Sequence, residues 1–293
     1  MALVSYWEEE AFWRADVAIV GAGLVGLSLA AELLEQAPDL RVIILERGLT
    51  PMGASTKNAG FLCLGSPSEL CRNIREVGEL QTITLVARRA AGLRRLRDRL
   101  GDEPIGYEAV GGYELILEPY EWILHELDRL NGLLREIVGR DYALLWDERL
   151  SQFRFGEQVR HLIYLPHEGA VHSGFLVRRL WRYVSGLGAL IMTGAEVEAW
   201  AEAGQAVEIS IRDGSGHRWR LSARLLALCT NALAPSLTSR LCARPGRGQI
   251  LITEPFEDLP WKGVFHSEEG YFYFRSVGKR ILLGGGRHHD FAA

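Results

Sequence analysis

Three glycines near the amino terminus have a spacing that can bind a dinucleotide. Gly21, Gly23 and Gly26 form a G-x-G-x-x-G motif after the apolar residues 17–20, and residues 24–35 follow with a helical pattern. In such a unit the first glycine permits a tight turn, the second lets the backbone approach a pyrophosphate, and the third allows close helix–strand packing. The helix N-terminus offers unpaired N–H groups and a positive dipole end to the phosphates. The sequence therefore predicts a dinucleotide site here.

An acidic residue stands where such a site binds the adenosine ribose. Residues 41–45 form a second, mostly apolar run that leads into Glu46, about 20 residues beyond the motif, where a carboxylate accepts hydrogen bonds from ribose hydroxyls. The glycine motif alone is a weak signal. A preceding strand, a following helix and an acid at this distance together favour cofactor binding over a turn that binds nothing.

The composition argues against several classes of protein. The 293 residues carry a formal net charge of −4, which provides no basic footprint for nucleic acid. The four cysteines form no C-x-x-C pair, so we expect reduced thiols and no metal site. The apolar residues 17–31 are too short to span a bilayer, and acidic residues precede them where a signal peptide is positively charged. We expect a cytoplasmic protein without nucleic-acid or membrane partners.

The segment after Glu46 is rich in small and polar residues. Residues 48–65 read G-L-T-P-M-G-A-S-T-K-N-A-G-F-L-C-L-G, a composition typical of a flexible surface loop. Directly after a ribose-binding strand, however, such a loop can lie along a cofactor. The glycine motif, Glu46-Arg47 and G-A-S-T-K-N-A-G-F together resemble the FAD-binding head of the D-amino-acid-oxidase-like flavoproteins, which include glycine oxidase and sarcosine oxidase.

This resemblance implies FAD rather than NAD as the cofactor. In the family, the segment matching residues 55–61 runs along the pyrophosphate and beside the flavin ring. Members that hold FAD covalently carry a histidine in this loop; Lys57 takes its place here, so we expect non-covalent FAD. A later C-T-N-A-L-A-P segment resembles the family's second cofactor-contacting strand, and the residue matching Val197 presents its backbone to the adenine. The expected cofactor contacts are Gly21, Gly23, Leu24, Val25, Gly26, Glu46, Arg47, Ser55, Thr56, Asn58, Ala59, Gly60, Phe61, Val197, Thr230, Asn231 and Ala232.

Hydrophobic periodicity predicts the elements of the remaining chain. Apolar residues recur every three or four positions over residues 70–100, which predicts one long helical region, and residues 120–138 and 175–184 predict two more helices. An aromatic N-terminal arm is expected to pack onto the core. The predicted strands are residues 111–117, 162–165, 188–197 and 225–228, with a β-hairpin over residues 207–211 and 219–221.

Two groups of charged residues suggest functions that the sequence does not favour. Six arginines decorate the far end of the long helical region, and a solvated helix face is favoured there over a nucleic-acid contact. His167 and His172 could hold a metal or act as a general base, but no third ligand is evident in the sequence.

The last two predicted strands, residues 270–275 and 280–286, have a hairpin pattern. In the family this antiparallel sheet covers the flavin ring, and a tyrosine contacts the substrate. The resemblance therefore assigns Tyr273 and then Tyr271 to the substrate. Arg275 is a further candidate, although an arginine in such a strand can equally face solvent.

The predicted fold class is α/β. A Rossmann-like FAD-binding domain of the glutathione-reductase-like, two-dinucleotide type is joined to a second, antiparallel-sheet substrate domain. We expect a discontinuous FAD domain of residues 14–105 and 160–240 and a substrate domain of residues 106–159 and 241–293. Family members usually continue beyond this point, so we expect a C-terminally truncated chain.

The resemblance implies an FAD-dependent oxidoreductase. Its expected reaction is oxidation of a C–N bond in a small amine or amino acid by hydride transfer to flavin N5, with the flavin supplying the redox chemistry. Two alternatives stay open. One is a flavin domain acting on a modified tRNA base or a glycerol-3-phosphate-like substrate, and the other is a truncated, inactive flavin-binding protein.

Overall fold

The structure is a computed structural model that describes residues 4–246 and 248–289. The chain forms two compact units. The first comprises Met1–Lys57 and Ser173–Pro245, and the second comprises Asn58–His172 and Gly246–Ala293. Each unit contains its own large sheet, and the expected α/β class is confirmed.

Strands and helices are interspersed along the described residues, and strands and α-helices contain similar numbers of residues. The strands are β1 (Arg14–Val20), β2 (Val42–Glu46), β3 (Phe61–Leu62), β4 (Gly112–Leu117), β5 (Leu144–Leu145), β6 (Val159–Leu165), β7 (Gly169–Ala170), β8 (Leu190–Thr193), β9 (Glu196–Ala203), β10 (Ala206–Arg212), β11 (Arg218–Leu228), β12 (Ile250–Ile252), β13 (Val264–Ser267), β14 (Phe272–Val277) and β15 (Arg280–Gly285). The α-helices are α1 (Tyr6–Phe12), α2 (Leu24–Gln36), α3 (Pro67–Val77), α4 (Glu79–Leu100), α5 (Asp102–Ile105), α6 (Leu127–Val138), α7 (Leu150–Phe153) and α8 (Ser173–Gly186).

The first unit is organised around β1. Its six-stranded sheet has the order β8-β2-β1-β11-β10-β9, in which the first four strands are parallel and β10 pairs antiparallel with both β11 and β9. Ala18 and Ile19 are fully buried, as expected for a central parallel strand. Val20 pairs with both Leu45 and Leu228, so three neighbouring strands end together. Open α/β sheets bind ligands outside this carboxyl edge.

The second unit contains a seven-stranded sheet of order β12-β15-β14-β13-β4-β6-β5. The β4–β13 pair is parallel, and the other pairs are antiparallel. A separate two-stranded ladder joins β3 to β7. The predicted hairpin of residues 270–286 is confirmed as β14 and β15.

The two faces of this sheet carry different side chains. Tyr113, Phe265 and Phe274 lie side by side on β4, β13 and β14 and form an aromatic core with Phe153. The other face packs against helices, with Ile116 and Ile163 in a core of apolar helix residues. Because side chains alternate along a strand, the residues next to the aromatic ones face these helices.

The long helical region of residues 70–100 is two helices. Gly78 separates α3 from α4 with φ +94°, a value that breaks helical geometry. The predicted helix of residues 120–138 is likewise divided, since Glu118–Glu126 is a 3₁₀ helix and only α6 is α-helical. Periodicity reports which residues share a buried face and does not detect such breaks.

The compact units divide the chain differently from the expected domains. Residues 58–105 and 160–172 lie in the second unit instead of the first. Leu70 of α3 and Val86 of α4 share one core with Ile116 of the seven-stranded sheet, and β6 pairs with β4 of the same sheet. Residues 241–245 belong to the first unit.

The N-terminal arm differs from expectation in its burial. Helix α1 contains no buried residue, and Tyr6 and Trp7 are 67% and 77% exposed. Trp13, at its end, stacks on Trp219 of β11 with ring centroids 5.1 Å apart. The expectation of a packed arm is therefore wrong for Tyr6 and Trp7 and holds for Trp13.

Two further findings concern membrane-spanning helices and the cysteines. In the described ranges, no helix combines the length and the apolar character needed to cross a membrane. Cys63, Cys71, Cys229 and Cys242 are free cysteines.

Candidate cofactor site

The turn between β1 and α2 brings the backbone so close to its neighbours that glycine is required. Gly21 has φ +102°, and a Cβ there would lie 2.7 Å from the Cys229 carbonyl oxygen. A Cβ on Gly26 would lie 2.0 Å from the Gly21 carbonyl oxygen, and one on Gly23 would lie 2.8 Å from Ser55 Oγ. The structure thus shows a tight turn, a close approach of Ser55 to the helix start, and close helix–strand packing.

The first turn of α2 is capped from the loop after β2. Gly23, the N-cap residue, provides no side-chain cap, and the Leu24 N–H donates to Ser55 Oγ at 2.9 Å. This places Ser55 at the positive end of the helix dipole, where phosphate groups bind in dinucleotide sites.

Glu46 is held rigidly at the carboxyl end of β2. Its Oε2 accepts a hydrogen bond from the Ala22 N–H at 3.0 Å, and its Oε1 accepts one from the Gly48 N–H at 2.9 Å. The side chain is nearly buried, at 9% exposure. Each carboxylate oxygen has a second acceptor position, so the carboxylate can still bind a ribose hydroxyl.

A cavity of about 730 Å³ opens along this carboxyl edge, within the first unit. Its volume lies in the range of cofactor pockets. Thr230, after β11, lines it, and the Thr230 Oγ1 is buried without a hydrogen-bond partner among the described residues. Buried polar atoms are rarely left unsatisfied, and a bound ligand is one explanation for such an atom. The Gly23 backbone, the Glu46 carboxylate and this hydroxyl all line the cavity and fit a dinucleotide.

The cavity contains about half of the residues expected to contact the cofactor. The ones that line it are Gly21, Gly23, Val25, Glu46, Arg47, Ser55, Val197, Thr230 and Asn231. Leu24, Gly26, Thr56 and Ala232 belong to the same unit without lining it, and the Thr56 hydroxyl donates to the Pro51 carbonyl oxygen instead. Asn58, Ala59, Gly60 and Phe61 belong to the second unit.

Several lining residues were not expected from the sequence. Leu228, Cys229, Leu237 and Leu241 provide apolar walls. Leu228 ends a run that the sequence identifies as a buried strand. Because β1, β2 and β11 end together, the last residue of this predicted strand could have been placed at the cofactor edge. Leu237 and Leu241 lie in irregular chain and have no such signal.

Of the candidate substrate contacts, Tyr273 and Tyr271 lie at the start of the β14–β15 hairpin. The Tyr273 ring lies over Gly284 of β15, where a Cβ would be 2.4 Å from the ring, and edge-on to Phe61 with centroids 5.8 Å apart. The Tyr271 hydroxyl accepts a hydrogen bond from Arg72 Nη1 at 3.1 Å.

Arg275 is buried rather than solvent-facing, with 6% exposure. Its Nη1 donates to the carbonyl oxygens of Gly60 and Val171 at 2.7 and 3.0 Å. Its Nε is buried without a partner in the described part of the chain. Loss of hydration lowers the pKa of this guanidinium.

Polar residues that the sequence analysis did not single out occupy the helix-facing side of the seven-stranded sheet. Glu114, His266 and Tyr273 are register neighbours on β4, β13 and β14. Glu114 accepts hydrogen bonds from the backbone and hydroxyl of Ser68, and burial raises its pKa to about 7. His266 Nε2 lies 3.1 Å from Glu168 Oε2. In the sequence, the signal that could have found these residues is a lone charged or ionisable residue inside an otherwise apolar strand.

The two histidines considered from the sequence make different contacts. His167 Nε2 lies 3.2 Å from the Asp141 carbonyl oxygen, its ring stacks on Tyr142, and burial lowers its pKa. His172 donates its backbone N–H to the Ile105 carbonyl oxygen. The position of the His167 side chain is thereby explained by its contacts with Asp141 and Tyr142.

Comparison with known proteins gives a consistent picture. The chain matches the family described as FAD dependent oxidoreductase (DAO) over residues 16–293. It is 28% identical to glycine oxidase of Geobacillus kaustophilus, covering 92% of this chain and 70% of that protein. It is 26% identical to L-2-hydroxyglutarate dehydrogenase of Salmonella houtenae, covering 79% of this chain and 51% of that protein.

Solved structures with a similar fold include the same glycine oxidase. The crystal structure of glycine oxidase from Geobacillus kaustophilus superimposes with a TM-score of 0.70 at 24% identity, covering 94% of this chain and 73% of that one. The family match extends over nearly the whole chain, and the glycine motif, the Glu46 carboxylate and the cavity provide the features that such a cofactor needs. The chain therefore belongs to the DAO family of FAD-dependent oxidoreductases, whose cofactor is FAD.

Proposed function

We propose that this protein binds FAD non-covalently and oxidises a C–N bond of a small amine or amino acid. The observation that carries the cofactor part is the buried Thr230 hydroxyl, which lacks a partner among the described residues and lies in a cavity that Gly23 and Glu46 also line. The similarity to glycine oxidase supports the substrate class. The chain spans 70% of the length of that relative and 51% of the length of the hydroxyglutarate dehydrogenase.

Residues of the first unit would hold the cofactor through its adenosine and pyrophosphate. Glu46 accepts hydrogen bonds from the ribose, and the start of α2 donates backbone N–H groups to phosphate. Lys57 lines the same cavity and lacks the imidazole that forms the covalent flavin link in some family members. When bound, FAD supplies the redox chemistry as a hydride acceptor.

In the second unit we propose that Tyr273, Tyr271 and Arg275 contact the substrate. Arg275 supports a carboxylate-bearing substrate, because its guanidinium is buried, has an unpartnered Nε, and makes no salt bridge among the described residues. A buried cation without a carboxylate partner is costly unless an anion pairs with it. Tyr271 is already bound to Arg72, so Tyr273 is the better placed of the two hydroxyls.

Oxidation of a 2-hydroxy acid is the second candidate. It is favoured by the similarity to L-2-hydroxyglutarate dehydrogenase, and a hydroxy acid presents the same carboxylate to Arg275. A glycerol-3-phosphate-like substrate or a modified tRNA base has no comparable support in the structure.

An anaerobic screen separates these reactions. The purified holoprotein is mixed with glycine, sarcosine, larger amino acids, 2-hydroxy acids and glycerol 3-phosphate, and loss of the oxidised flavin spectrum is followed. Reduction by amino acids or amines supports the proposal, reduction by 2-hydroxy acids alone replaces it with the second candidate, and reduction by none of them indicates a flavin-binding protein without this activity. Tyr273→Phe should slow reduction by the active substrate, while Tyr142→Phe, in the helix-packed core, should not.

A further inference from the structure

A cysteine, a glutamate and a histidine converge inside the second unit, in a group that the proposed redox reaction does not use. Cys63 follows β3, Glu168 precedes β7, and His266 lies on β13. The Sγ of Cys63, a carboxylate oxygen of Glu168 and a ring nitrogen of His266 all lie within 4.8 Å of one another. These residues are 105 and 98 positions apart in sequence, so only folding brings them together.

The spacing of these atoms suits a four-coordinate metal ion. Tetrahedral Zn²⁺ with ligands at 2.0–2.3 Å separates neighbouring ligand atoms by about 3.3–3.8 Å. The distance from His266 Nε2 to Glu168 Oε2 is already 3.1 Å. Small movements of Cys63 and of the other two side chains would therefore place all three atoms at bonding distance from one ion.

The fold reserves space for this cluster and orients it. Gly112 of β4 leaves the volume that the Glu168 side chain fills, since a Cβ there would lie 2.2 Å from Glu168 Oε2. The other oxygen of Glu168 accepts a hydrogen bond from the Leu64 N–H at 3.2 Å. Hydrogen bonds of this kind orient metal-binding carboxylates.

Charge and burial also favour a divalent cation. Glu168 and His266 are 2% and 6% exposed, and Cys63 is half-buried. A thiolate, a carboxylate and a neutral imidazole together balance the two charges of a divalent ion. A neutral site is far less costly to bury than a charged one.

We propose that Cys63, Glu168 and His266 bind one thiophilic divalent cation of the Zn²⁺ class. Thiolate and imidazole ligands select such ions over Mg²⁺ and Ca²⁺. With three protein ligands, the ion keeps one position open for water or an added ligand. It would join the β3–β7 ladder to β13, on which His266 lies edge-on to Phe61 at 5.1 Å.

Cobalt provides a direct test, because a thiolate bound to Co²⁺ gives an intense charge-transfer absorption. The holoprotein is treated with chelator, dialysed and titrated with Co²⁺, and difference spectra are taken against the metal-free sample so that flavin absorption cancels. We expect one equivalent of Co²⁺ to produce the thiolate band, and one equivalent of Zn²⁺ to displace it while excess Mg²⁺ does not. Absence of the band in the wild-type protein overturns the proposal without any variant.

Variants locate the site. Cys63→Ser should abolish the band and weaken Zn²⁺ binding by at least about tenfold, the lower end of the loss typical even of outer-shell partners, and His266→Gln should weaken it likewise. Cys242→Ser is the matched control, since Cys242 is exposed and outside the cluster. A band that survives in Cys63→Ser, or is lost in Cys242→Ser, places the metal elsewhere and contradicts the proposal. Circular dichroism of each variant checks that the fold is intact.

Discussion

Gly23 stands at the start of α2, where a Cβ would lie 2.8 Å from Ser55 Oγ. At this residue we predict that Gly23→Asp abolishes FAD binding, because its carboxylate would occupy the helix N-terminus at which phosphates bind. Asp is a good N-cap, so the helix itself should remain stable. The measurement is flavin absorbance of the purified protein relative to its protein absorbance.

Gly53→Ala is the control for this substitution. Gly53 lines the same cavity, but a Cβ there meets nothing within 4 Å. This variant should keep its flavin. Full flavin occupancy in Gly23→Asp would show that the motif does not bind the pyrophosphate.

Replacing Thr230 is expected to change the stability of the flavin-free protein and its affinity for FAD in opposite directions. Thr230→Val removes a buried hydroxyl that has no partner among the described residues. The flavin-free protein should gain about 1 kcal/mol of stability, and FAD should bind roughly 2- to 10-fold more weakly, because a net hydrogen bond contributes about 0.5–1.5 kcal/mol. Urea unfolding of the apoprotein and FAD titration measure the two effects.

Thr238→Val provides the comparison for that result. Thr238 Oγ1 accepts a hydrogen bond from the Arg240 N–H, and the residue does not line the cavity. Its FAD affinity should equal that of the wild type. If Thr230→Val left FAD affinity unchanged, the hydroxyl would have no role in the cofactor site.

At the scale of elements, the break between α3 and α4 depends on one backbone conformation. Gly78 has φ +94°, whereas Gly92 lies inside α4 with nothing within 4 Å of an added Cβ. Gly78→Ala should destabilise the protein by at least about 1 kcal/mol, while Gly92→Ala should stabilise it by roughly 0.5–1 kcal/mol. Urea unfolding at neutral pH gives both values. Equal effects of the same sign would contradict the helix break.

The strand β4 makes stability depend on pH through Glu114. Burial raises the pKa of Glu114 from 4.5 to about 7. A raised pKa means that its contribution to stability is complete below pH 4.5 and is lost as the pH rises through 7, by about 3 kcal/mol in all. Glu114→Gln removes this loss, so the variant should gain stability relative to wild type over that interval.

The free energies of unfolding of the wild type and of Glu114→Gln, measured at pH 4.5 and pH 8 with chelator present, give this gain. Because Glu114 and His266 shift each other's pKa, the difference between the two proteins reports the titration of Glu114 together with its effect on His266. A difference that does not change with pH would mean that Glu114 keeps one protonation state throughout.

At the scale of the whole molecule, the expected state is a yellow holoprotein with releasable flavin. Lys57 lines the cavity, and the sequence resemblance places it where covalent flavoproteins of the family carry a histidine. We predict that acid precipitation releases the flavin into the supernatant and leaves a colourless pellet. Visible absorption spectra before and after precipitation measure this, and flavin retained in a washed pellet would mean a covalent link.

The two-unit division also belongs to this scale. The sequence predicted two discontinuous domains, and the compact units are discontinuous too. The expected boundary at residue 105 came from the resemblance, whereas the boundary at residue 57 follows from packing, because α3 and α4 bury Leu70 and Val86 against the seven-stranded sheet. Local periodicity cannot tell a helix which sheet it will cover.

The sequence by itself determined the elements whose information is local. The β1–α2–β2 unit, its three glycines and Glu46 were predictable because a buried strand, a tight turn and a helix start each require particular residues within a few positions. Only the tertiary structure decided which distant side chains meet. Three features depend on strand order and register, which are set by pairing across the sheets and which no local pattern encodes. They are the Thr230 hydroxyl without a partner in the described part of the chain, the burial of Arg275, and the meeting of Cys63, Glu168 and His266.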